Sequence, residues 1–309
     1  MPTAYTIFSK LIRPLVGSGI GNNHIIADLY QRIMLRLLPE TEKIVEVQGF
    51  KMKVLMKGHI NDIATELLFR GVHEPATTRI FKKILNTGDI VVDVGANIGY
   101  FTLLAAQLVG WKGKVFAFEP ALDNIKALRE NIELNKLENV RTFPVALGSY
   151  NSSDFETLYT CSREPARHSL VRTKEHDGKE LVAVTTLDNI LAVDMQQVRL
   201  LKTDTEGNEL AVLRGARQTI LSSKDIVLIV EVNFEALKAC GPTIEKLLWD
   251  CIIHDLDMNW IWLLDDYRDN IELIYSPGIY KYNWIDKIKP RGKAVLGYNL
   301  LCSREEIEL

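Results

Sequence analysis

The feature that most constrains this fold is an apolar segment that runs directly into a glycine-containing turn and a second apolar segment. Residues 90 to 95 read IVVDVG, the turn continues to Gly99, and apolar residues then recur at helical spacing to residue 109. A strand that is apolar on both faces belongs in a sheet that is covered on both sides. Without a Cβ, Gly95 lets ligand atoms come close to the backbone, and Gly99 lets the following helix start tightly against the strand. This segment therefore predicts a strand, turn and helix within a parallel sheet.

The same alternation recurs along the chain. Further strands are predicted at 114–119, 140–145, 199–204 and 226–232, and further helices at 121–135 and 208–221. This order is typical of an α/β fold with a doubly wound, mainly parallel sheet. Two later strands, 259–264 and 294–301, flank an aromatic-bearing excursion and predict a C-terminal antiparallel strand pair.

Two regions stand outside this alternation. Residues 149–188 are polar and rich in turn residues, and they are too long for a simple connection, which predicts an insertion. Ahead of the sheet, apolar residues recur at helical spacing over 4–38, residues 43–57 alternate like a hairpin with its turn near Gly49, and 62–85 is again helical. We therefore expect an N-terminal unit over 1–60 and a main domain over 61–309.

The two N-terminal amphipathic helices leave three roles open. They could cover the core, pair with a second copy of the chain in a homo-oligomer, or rest on a membrane surface. We favour packing against the core, because most amphipathic helices serve that purpose.

Composition excludes several classes of protein. The chain has 309 residues, of which 47% are hydrophobic and 25% charged, as in ordinary globular proteins. Its net charge of -3 provides no positive field for nucleic acid, so we expect a small or neutral partner. The four cysteines have no CxxC spacing, which argues against structural zinc and fits a reducing cytoplasm. We expect neither a signal peptide nor a transmembrane segment, because the first residues lack the order of charged, apolar and cleavage-site residues and no apolar run approaches about 18 residues.

The turn after the first strand of the sheet is the natural ligand site, because doubly wound sheets bind ligands outside the carboxyl ends of their strands. NAD fits poorly, since Asn97 stands where the dinucleotide fingerprint needs its second glycine. Asp93 would repel a pyrophosphate but attract the ammonium and sulfonium charges of S-adenosylmethionine. Glu119, at the end of the next strand, could accept two hydrogen bonds from ribose hydroxyls. These residues favour S-adenosylmethionine.

The sequence also resembles the FkbM-type S-adenosylmethionine-dependent methyltransferases over about residues 60 to 235. The resemblance rests on His73-Glu74-Pro75, VVDVGANIGYFTLLAA (91–106), FAFEP (116–120), PVALG (144–148), LKTDTEGNELAVLRGA (201–216) and VEVN (230–233). It implies a class I, Rossmann-like fold and O-methylation, commonly on a sugar or secondary metabolite. It further implies cofactor contacts at Glu74, Asp93, Gly95, Ala96, Asn97, Gly99, Glu119 and Pro120, and an adenine contact near Ala146, where the third strand is predicted to end.

Carboxylates after the fourth and fifth strands are the candidates for catalysis. Asp204 and Glu206 share one face if the strand extends that far, and either could accept the proton of an acceptor hydroxyl. Lys202 lies on the same face, where its ammonium would lower the pKa of these carboxyls. Glu231 projects near the same rim. Together with the amide of Asn233, the three carboxylates of Asp204, Glu206 and Glu231 could instead hold Mg²⁺. We do not favour this metal site, because it needs about six oxygens.

Several side chains near the predicted site have competing interpretations. His168, in the insertion, could act as a base near neutral pH if the insertion folds over the site. Glu206 could simply cap the following helix, and Glu209 is expected to interact with the dipole of that helix. The aromatic residues of 267–284 could stack on an acceptor or fill the core.

The leading prediction is a cytoplasmic O-methyltransferase that uses S-adenosylmethionine and a small hydroxylated acceptor. The alternative is a methyltransferase-like protein that binds the cofactor, takes part in an assembly and has no turnover. A methyltransferase for nucleic-acid amino groups is less expected, because Asp204-Thr205-Glu206 stands where an Asn/Asp-Pro-Pro-aromatic motif would be.

Overall fold

The described part of the chain falls into two units, which divide between His73 and Glu74. The computed structural model describes residues 41–56, 63–152, 154–162, 164–192, 197–241, 244–277 and 297–309. The predicted helices at 4–38 and the aromatic residues Tyr280, Tyr282 and Trp284 lie outside these ranges. The predicted boundary near residue 60 therefore stays a prediction. Among the described helices, none is long and apolar enough to cross a membrane.

The first unit contains the predicted hairpin. Strands β1 (Thr41–Val47) and β2 (Phe50–Met56) pair antiparallel. Gln48 and Gly49 connect them, both with positive φ (50° and 91°), a geometry that matches the twist of paired strands. Helix α1 (Ile63–Arg70) follows, and Gln48 donates a hydrogen bond to the carbonyl of Gly71 at 2.9 Å. The hairpin prediction is confirmed.

The second unit is built on strands. In chain order they are β3 (Ile90–Val94), β4 (Lys114–Phe118), β5 (Val140–Phe143), β6 (Ala146–Leu147), β7 (Glu156–Thr160), β8 (Gly178–Val182), β9 (Val184–Thr185), β10 (Leu200–Thr203), β11 (Val227–Asn233), β12 (Trp260–Asp265), β13 (Asn270–Tyr275) and β14 (Gly297–Ser303). Eight of them form the central sheet, in the order β13-β12-β14-β11-β10-β3-β4-β5. From β3 the chain builds outward first through β4 and β5, then on the other side through β10 and β11. The switch point therefore lies between β3 and β10.

The sheet is parallel from β5 to β11, and β14, β12 and β13 add to it antiparallel. The predicted C-terminal antiparallel pair is confirmed as β12 and β14. The excursion between them also contains a strand, β13, which the sequence analysis did not predict. Exposed side chains alternate with partly buried ones over 270–273, as in an edge strand.

Helices cover both faces of the sheet, as predicted. They are α2 (Pro75–Ile84), α3 (Tyr100–Val109), α4 (Leu122–Leu134), α5 (Leu187–Leu191), α6 (Glu209–Gly215), α7 (Arg217–Ser222), α8 (Phe234–Cys240) and α9 (Ile244–Asp250), and a π-helical turn over Cys251–Asp255 follows α9. Two predicted helices are divided. The segment 62–85 forms α1 and α2, and 208–221 breaks at Ala216 into α6 and α7.

The insertion is folded. Strands β7 and β8 form an antiparallel hairpin, and β9 pairs with β6. The long connection between β7 and β8 contains a 3₁₀ turn, Pro165–Arg167, and returns to β7 through a bridge between Tyr159 and Ser169. This bridge directs residues 165 to 171 back across the unit.

Candidate active site

The glycine turn begins at the carboxyl end of β3. The amides of Gly95 and Ala96 both donate to the carbonyl of Phe118, at 2.9 and 3.0 Å, which ties the turn to the end of β4. Gly95, Asn97 and Gly99 all have positive φ. A Cβ on Gly99 would lie 2.5 Å from Leu128 Cδ1, so this glycine permits the close approach of α4.

Gly95 is required for a different reason from the one expected. A Cβ at this position would lie 1.8 Å from the backbone oxygen of Asp204. The sequence analysis assigned the space beside Gly95 to a ligand, whereas the nearest atoms belong to the loop after β10. The glycine turn and this loop are therefore in direct contact.

Glu119 lies beside the glycine turn with both oxygens directed at backbone amides. Its Oε2 accepts from Asn97 and its Oε1 from Ala121, both at 2.9 Å. The residue is 4% exposed. Burial raises the pKa of Glu119 to about 7, although the two amides oppose the shift. No lysine or arginine among the described residues forms an ion pair with it. The side chain of Asn124 also bonds to this carboxylate and opposes the rise of its pKa. A carboxylate has about four lone-pair sites, so Glu119 can still accept from a ligand hydroxyl.

Asp93 and Lys202 face each other beneath these turns. They are register partners on β3 and β10, 1% and 2% exposed respectively. Asp93 Oδ2 accepts from Thr102 Oγ1 at 2.6 Å. Burial raises the pKa of Asp93, and Lys202 opposes that rise. We expected the Asp93 carboxylate to face the turn, but it is buried beneath the turn. Its negative charge interacts with the ammonium of Lys202.

Lys202 is an anchored cation. Its Nζ donates to Asp204 Oδ2 at 2.6 Å and lies 4.7 Å from the centre of the Phe101 ring. Burial by itself would lower the pKa of Lys202, but the charges of Asp204, Glu74 and Asp93 hold it above its usual value. The ammonium therefore stays protonated, so Lys202 can orient a carboxylate but cannot accept a proton.

Glu74 belongs to the surroundings of Lys202. It precedes α2 in a left-handed conformation, with φ of 43°, and its Oε2 accepts from Asn299 Nδ2 at 2.8 Å. Asn299, on β14, is the register partner of Glu231. The sequence analysis assigned no role to Asn299, and an isolated asparagine in a strand carries no signal for one.

Asp204, Glu206 and Glu231 converge. Each offers a carboxylate oxygen, and these oxygens lie within 4.8 Å of one another. We expected Asp204 and Glu206 to meet on a shared strand face. That expectation is wrong, because β10 ends at Thr203 and Glu206 has a φ of 55°. Instead, a tight loop over 204–207 turns Glu206 toward Asn233, whose Nδ2 donates to Glu206 Oε2 at 2.5 Å.

The environments of the three acids differ. Asp204 is paired with Lys202, as described. Burial and the charge of Asp204 raise the pKa of Glu206 to about 8, while Arg167 opposes the rise. Burial is the main cause that raises the pKa of Glu231 well above its ordinary value, and the negative charges of Asp204 and Glu206 add to it. Glu231 Oε2 has no hydrogen-bond partner among the described residues.

Among the described residues, these three carboxylates form the group that could contact a cation. The fourth ligand suggested by the sequence, Asn233, is not directed that way. Its oxygen accepts from the amides of Glu235 and Ala236, at 3.0 and 3.1 Å, and caps α8. Its NH₂ group faces Glu206, so it offers no oxygen to a metal. Because a hard cation needs about six oxygens, we assign no metal to the cluster.

Glu209 holds the 204–207 loop from below. Its fully buried carboxylate accepts from the amides of Thr205 and Gly207, at 2.9 and 3.1 Å. These amides precede α6, where a negative charge is favoured, as expected for Glu209. The alternative role of Glu206 as a helix cap is not observed, because its side chain bonds to Asn233 and Asn208 occupies the cap position.

His168 is not placed as a base. Its Nδ1 accepts a hydrogen bond from the amide of Cys161 at 3.1 Å. A neutral imidazole has one acceptor nitrogen, so the proton of this ring lies on Nε2 and no lone pair is left for a substrate proton. The geometry assigns His168 a structural role within the insertion.

Pro120 and Ala146 lie on the Glu119 side of the site. Pro120 is half-buried next to Glu119. We expected Ala146 to lie at the end of the third strand of the sheet, β5. This strand ends earlier, at Phe143. Ala146 begins β6 and packs with Ala121, Leu158 and Val182, and these contacts join the insertion to the start of α4.

Strand order, switch point and acid cluster together define a class I methyltransferase fold with a candidate active site at the carboxyl ends of β3, β4, β10 and β11. The sequence profile described as "Methyltransferase FkbM domain" matches residues 93–251. The chain therefore belongs to the FkbM methyltransferase family, which confirms the resemblance.

Individual relatives are more distant. "Methyltransferase 1" of Beauveria bassiana is 29% identical over 143 residues, which is 40% of this chain and 57% of that protein. "Hexuronic acid methyltransferase AglP" of Haloferax volcanii is 25% identical over 195 residues, 62% of this chain and 75% of that protein. A solved FkbM methyltransferase from Methylobacillus flagellatus is 20% identical with a TM-score of 0.42, and the match covers 68% of this chain and 52% of that one.

Proposed function

We propose that this protein transfers a methyl group from S-adenosylmethionine to a hydroxyl of a small acceptor, such as a sugar or a secondary metabolite. The supporting observation is the contact of Gly95 with Asp204, because it brings the candidate cofactor turn against the carboxylate cluster. When bound, S-adenosylmethionine supplies an electrophilic methyl group. The chain itself has to hold the two substrates in line and remove the hydroxyl proton.

On the cofactor side, the ionised Glu119 accepts hydrogen bonds from the ribose hydroxyls. Gly95, Ala96, Asn97 and Gly99 form the adjacent backbone, and Pro120 and Ala146 lie toward the adenine. Asp93 and Glu74 act through Lys202, since both their charges bear on its ammonium.

On the acceptor side, Glu206 takes the hydroxyl proton. Its pKa of about 8 makes it a stronger base than an ordinary carboxylate, and catalytic bases work best when their pKa is near the operating pH. Asp204, held by its ion pair with Lys202, orients the acceptor. Glu231 lies beside both acids, and burial raises its pKa well above the ordinary value.

The acceptor class follows from chemistry and from the relatives. An alcohol does not lose its proton by itself at neutral pH, so its methylation needs a base, and a carboxylate can serve as one. One relative carries the name of a hexuronic acid methyltransferase. Sugars with free hydroxyls, uronic acids among them, are therefore the first acceptors to test.

The test has two stages. Calorimetric titration with S-adenosylmethionine and S-adenosylhomocysteine should show binding that Glu119→Gln weakens and that Glu138→Gln, an exposed glutamate on the loop after α4, does not. An acceptor panel is then screened for release of S-adenosylhomocysteine. Absence of binding would overturn the proposal, and binding without turnover on any acceptor would favour the assembly role instead.

A further inference from the structure

The insertion contacts the 204–207 loop through Ser169 and the start of α8 through Arg167. Ser169 Oγ donates to the carbonyl of Glu206 at 2.7 Å and accepts from the amide of Val171 at 2.9 Å. Ser169 is 2% exposed. Glu206 and Gly207 are consecutive residues with positive φ, so the carbonyl of Glu206 has no helical partner and is satisfied by this hydroxyl.

The second contact is made by Arg167. Its guanidinium donates to Glu235 Oε2 at 3.2 Å, on the first turn of α8, and to Glu164 Oε2 at 3.4 Å and Glu175 on the insertion itself. Its side chain is only 17% exposed. A guanidinium can hold several carboxylates at once because its five donors point in fixed directions.

Arg167 therefore reaches Glu206 through a short chain of contacts. The backbone amide of Glu235 donates a hydrogen bond to Asn233 Oδ1. The NH₂ group of the same Asn233 side chain donates to Glu206 Oε2. If Arg167 is removed, Glu164, Glu175 and Glu235 face one another without a cation. Their repulsion would displace the start of α8, and with it Asn233.

We propose that Arg167 is a positioning residue for methyl transfer, which ties the insertion to the start of α8 and thereby holds Asn233 and Glu206 in their reactive arrangement. This inference rests on the proposed function, in which Glu206 is the base. Arg167 does not touch the acceptor in this proposal, because its donors are already directed at three carboxylates of the chain.

The experiment compares Arg167→Gln with Arg172→Gln, the same change at an exposed arginine of the insertion whose guanidinium lies 5.8 Å from the centre of the Tyr159 ring. We expect Arg167→Gln to lower kcat by about 10- to 100-fold, the scale of a small displacement of reacting groups, with little change in the acceptor KM or in cofactor affinity. Arg172→Gln should stay within about threefold of the unsubstituted protein. Arg167→Lys should recover part of the loss, since a lysine restores the charge but not the fork.

Glu235→Gln provides the test from the other end of the tie. It should reproduce the loss, and the double variant should lose little more than either single variant. Additive losses would overturn the proposal, as would an Arg167→Gln protein with unchanged kcat. A raised acceptor KM with intact kcat would mean that Arg167 contacts the acceptor and would also overturn it.

Hydrogen exchange separates this inference from the proposed function. In Arg167→Gln, amides at 205–207 and 235–236 should exchange faster, while those of β3 and β4 stay protected; Arg172→Gln should change neither set. This result does not require turnover. If the unsubstituted protein methylates nothing, the proposed function fails, but the tie is still supported or overturned by exchange.

Discussion

The Cα of Gly95 packs so closely against the carbonyl of Asp204 that a methyl group on Gly95 would lie 1.8 Å from that oxygen. The two residues belong to different loops, one after β3 and the other after β10. Their contact joins the candidate cofactor turn to the candidate catalytic loop without any side chain between them.

This contact predicts the effect of Gly95→Ala. We expect a loss of unfolding free energy above the roughly 1 to 2 kcal/mol that left-handed backbone alone costs an alanine. Gly88→Ala is the matched control, because Gly88 has a φ of +98° but no atom lies within 4 Å of the position that an added methyl carbon would take. Urea unfolding of both variants measures the difference. Equal losses would mean that the two loops can separate at little cost.

Glu119 predicts the pH dependence of cofactor binding. In the proposed cofactor complex, ribose hydroxyls donate to the ionised carboxylate of Glu119, and in the free protein this carboxyl has a pKa raised to about 7. Protonation therefore competes with binding below pH 7, and the affinity should rise about tenfold between pH 6 and pH 8 before it levels off. Calorimetry across this range measures the rise. Glu119→Gln should show weaker binding without this dependence, and a rise that persists in the variant would assign it to another group.

Lys202 predicts a strong effect on stability. Lys202→Met would leave Asp93, Asp204 and Glu74 without their shared cation, at a cost of about 3 to 5 kcal/mol in unfolding free energy. The cost should shrink at lower pH, because the uncompensated carboxylates then take up protons. Lys114→Met, the same change at the exposed start of β4, should alter stability by less than about 0.5 kcal/mol. A loss at Lys202 that is small at every pH would show that the acids are neutral in the native protein.

Glu206 and His168 predict opposite catalytic outcomes. Glu206→Gln removes the proposed base and should lower kcat by about 10² to 10⁴-fold. His168→Asn keeps an acceptor for the amide of Cys161 and should leave kcat within about threefold of the unsubstituted protein. Initial rates at saturating acceptor and cofactor compare the two. A large loss in His168→Asn with normal stability would restore the histidine as a candidate base.

Much of the fold and the set of candidate residues could be predicted from the sequence. The order of apolar strands and amphipathic helices from residue 90 onward indicated the doubly wound sheet, because burial on two faces imposes a pattern that is visible in one dimension. The same pattern placed Asp93, Glu119, Asp204 and Glu231 at strand ends. In a parallel sheet these ends meet at one edge, so their proximity was predictable too.

Only the tertiary structure decided how these residues are used. Asp204 and Glu206 converge through a loop with left-handed backbone. The side-chain oxygen of Asn233 accepts hydrogen bonds at the start of α8 and is not available to a metal. His168 Nδ1 accepts a hydrogen bond from the amide of Cys161. Each outcome depends on a hydrogen bond or a close contact. The groups involved are distant in sequence, or a loop determines their positions. Such contacts have no periodicity, since they arise from packing in three dimensions. The candidate residue types and the order of the strands could therefore be predicted from the sequence. The direction in which each polar atom points was determined only by the tertiary structure.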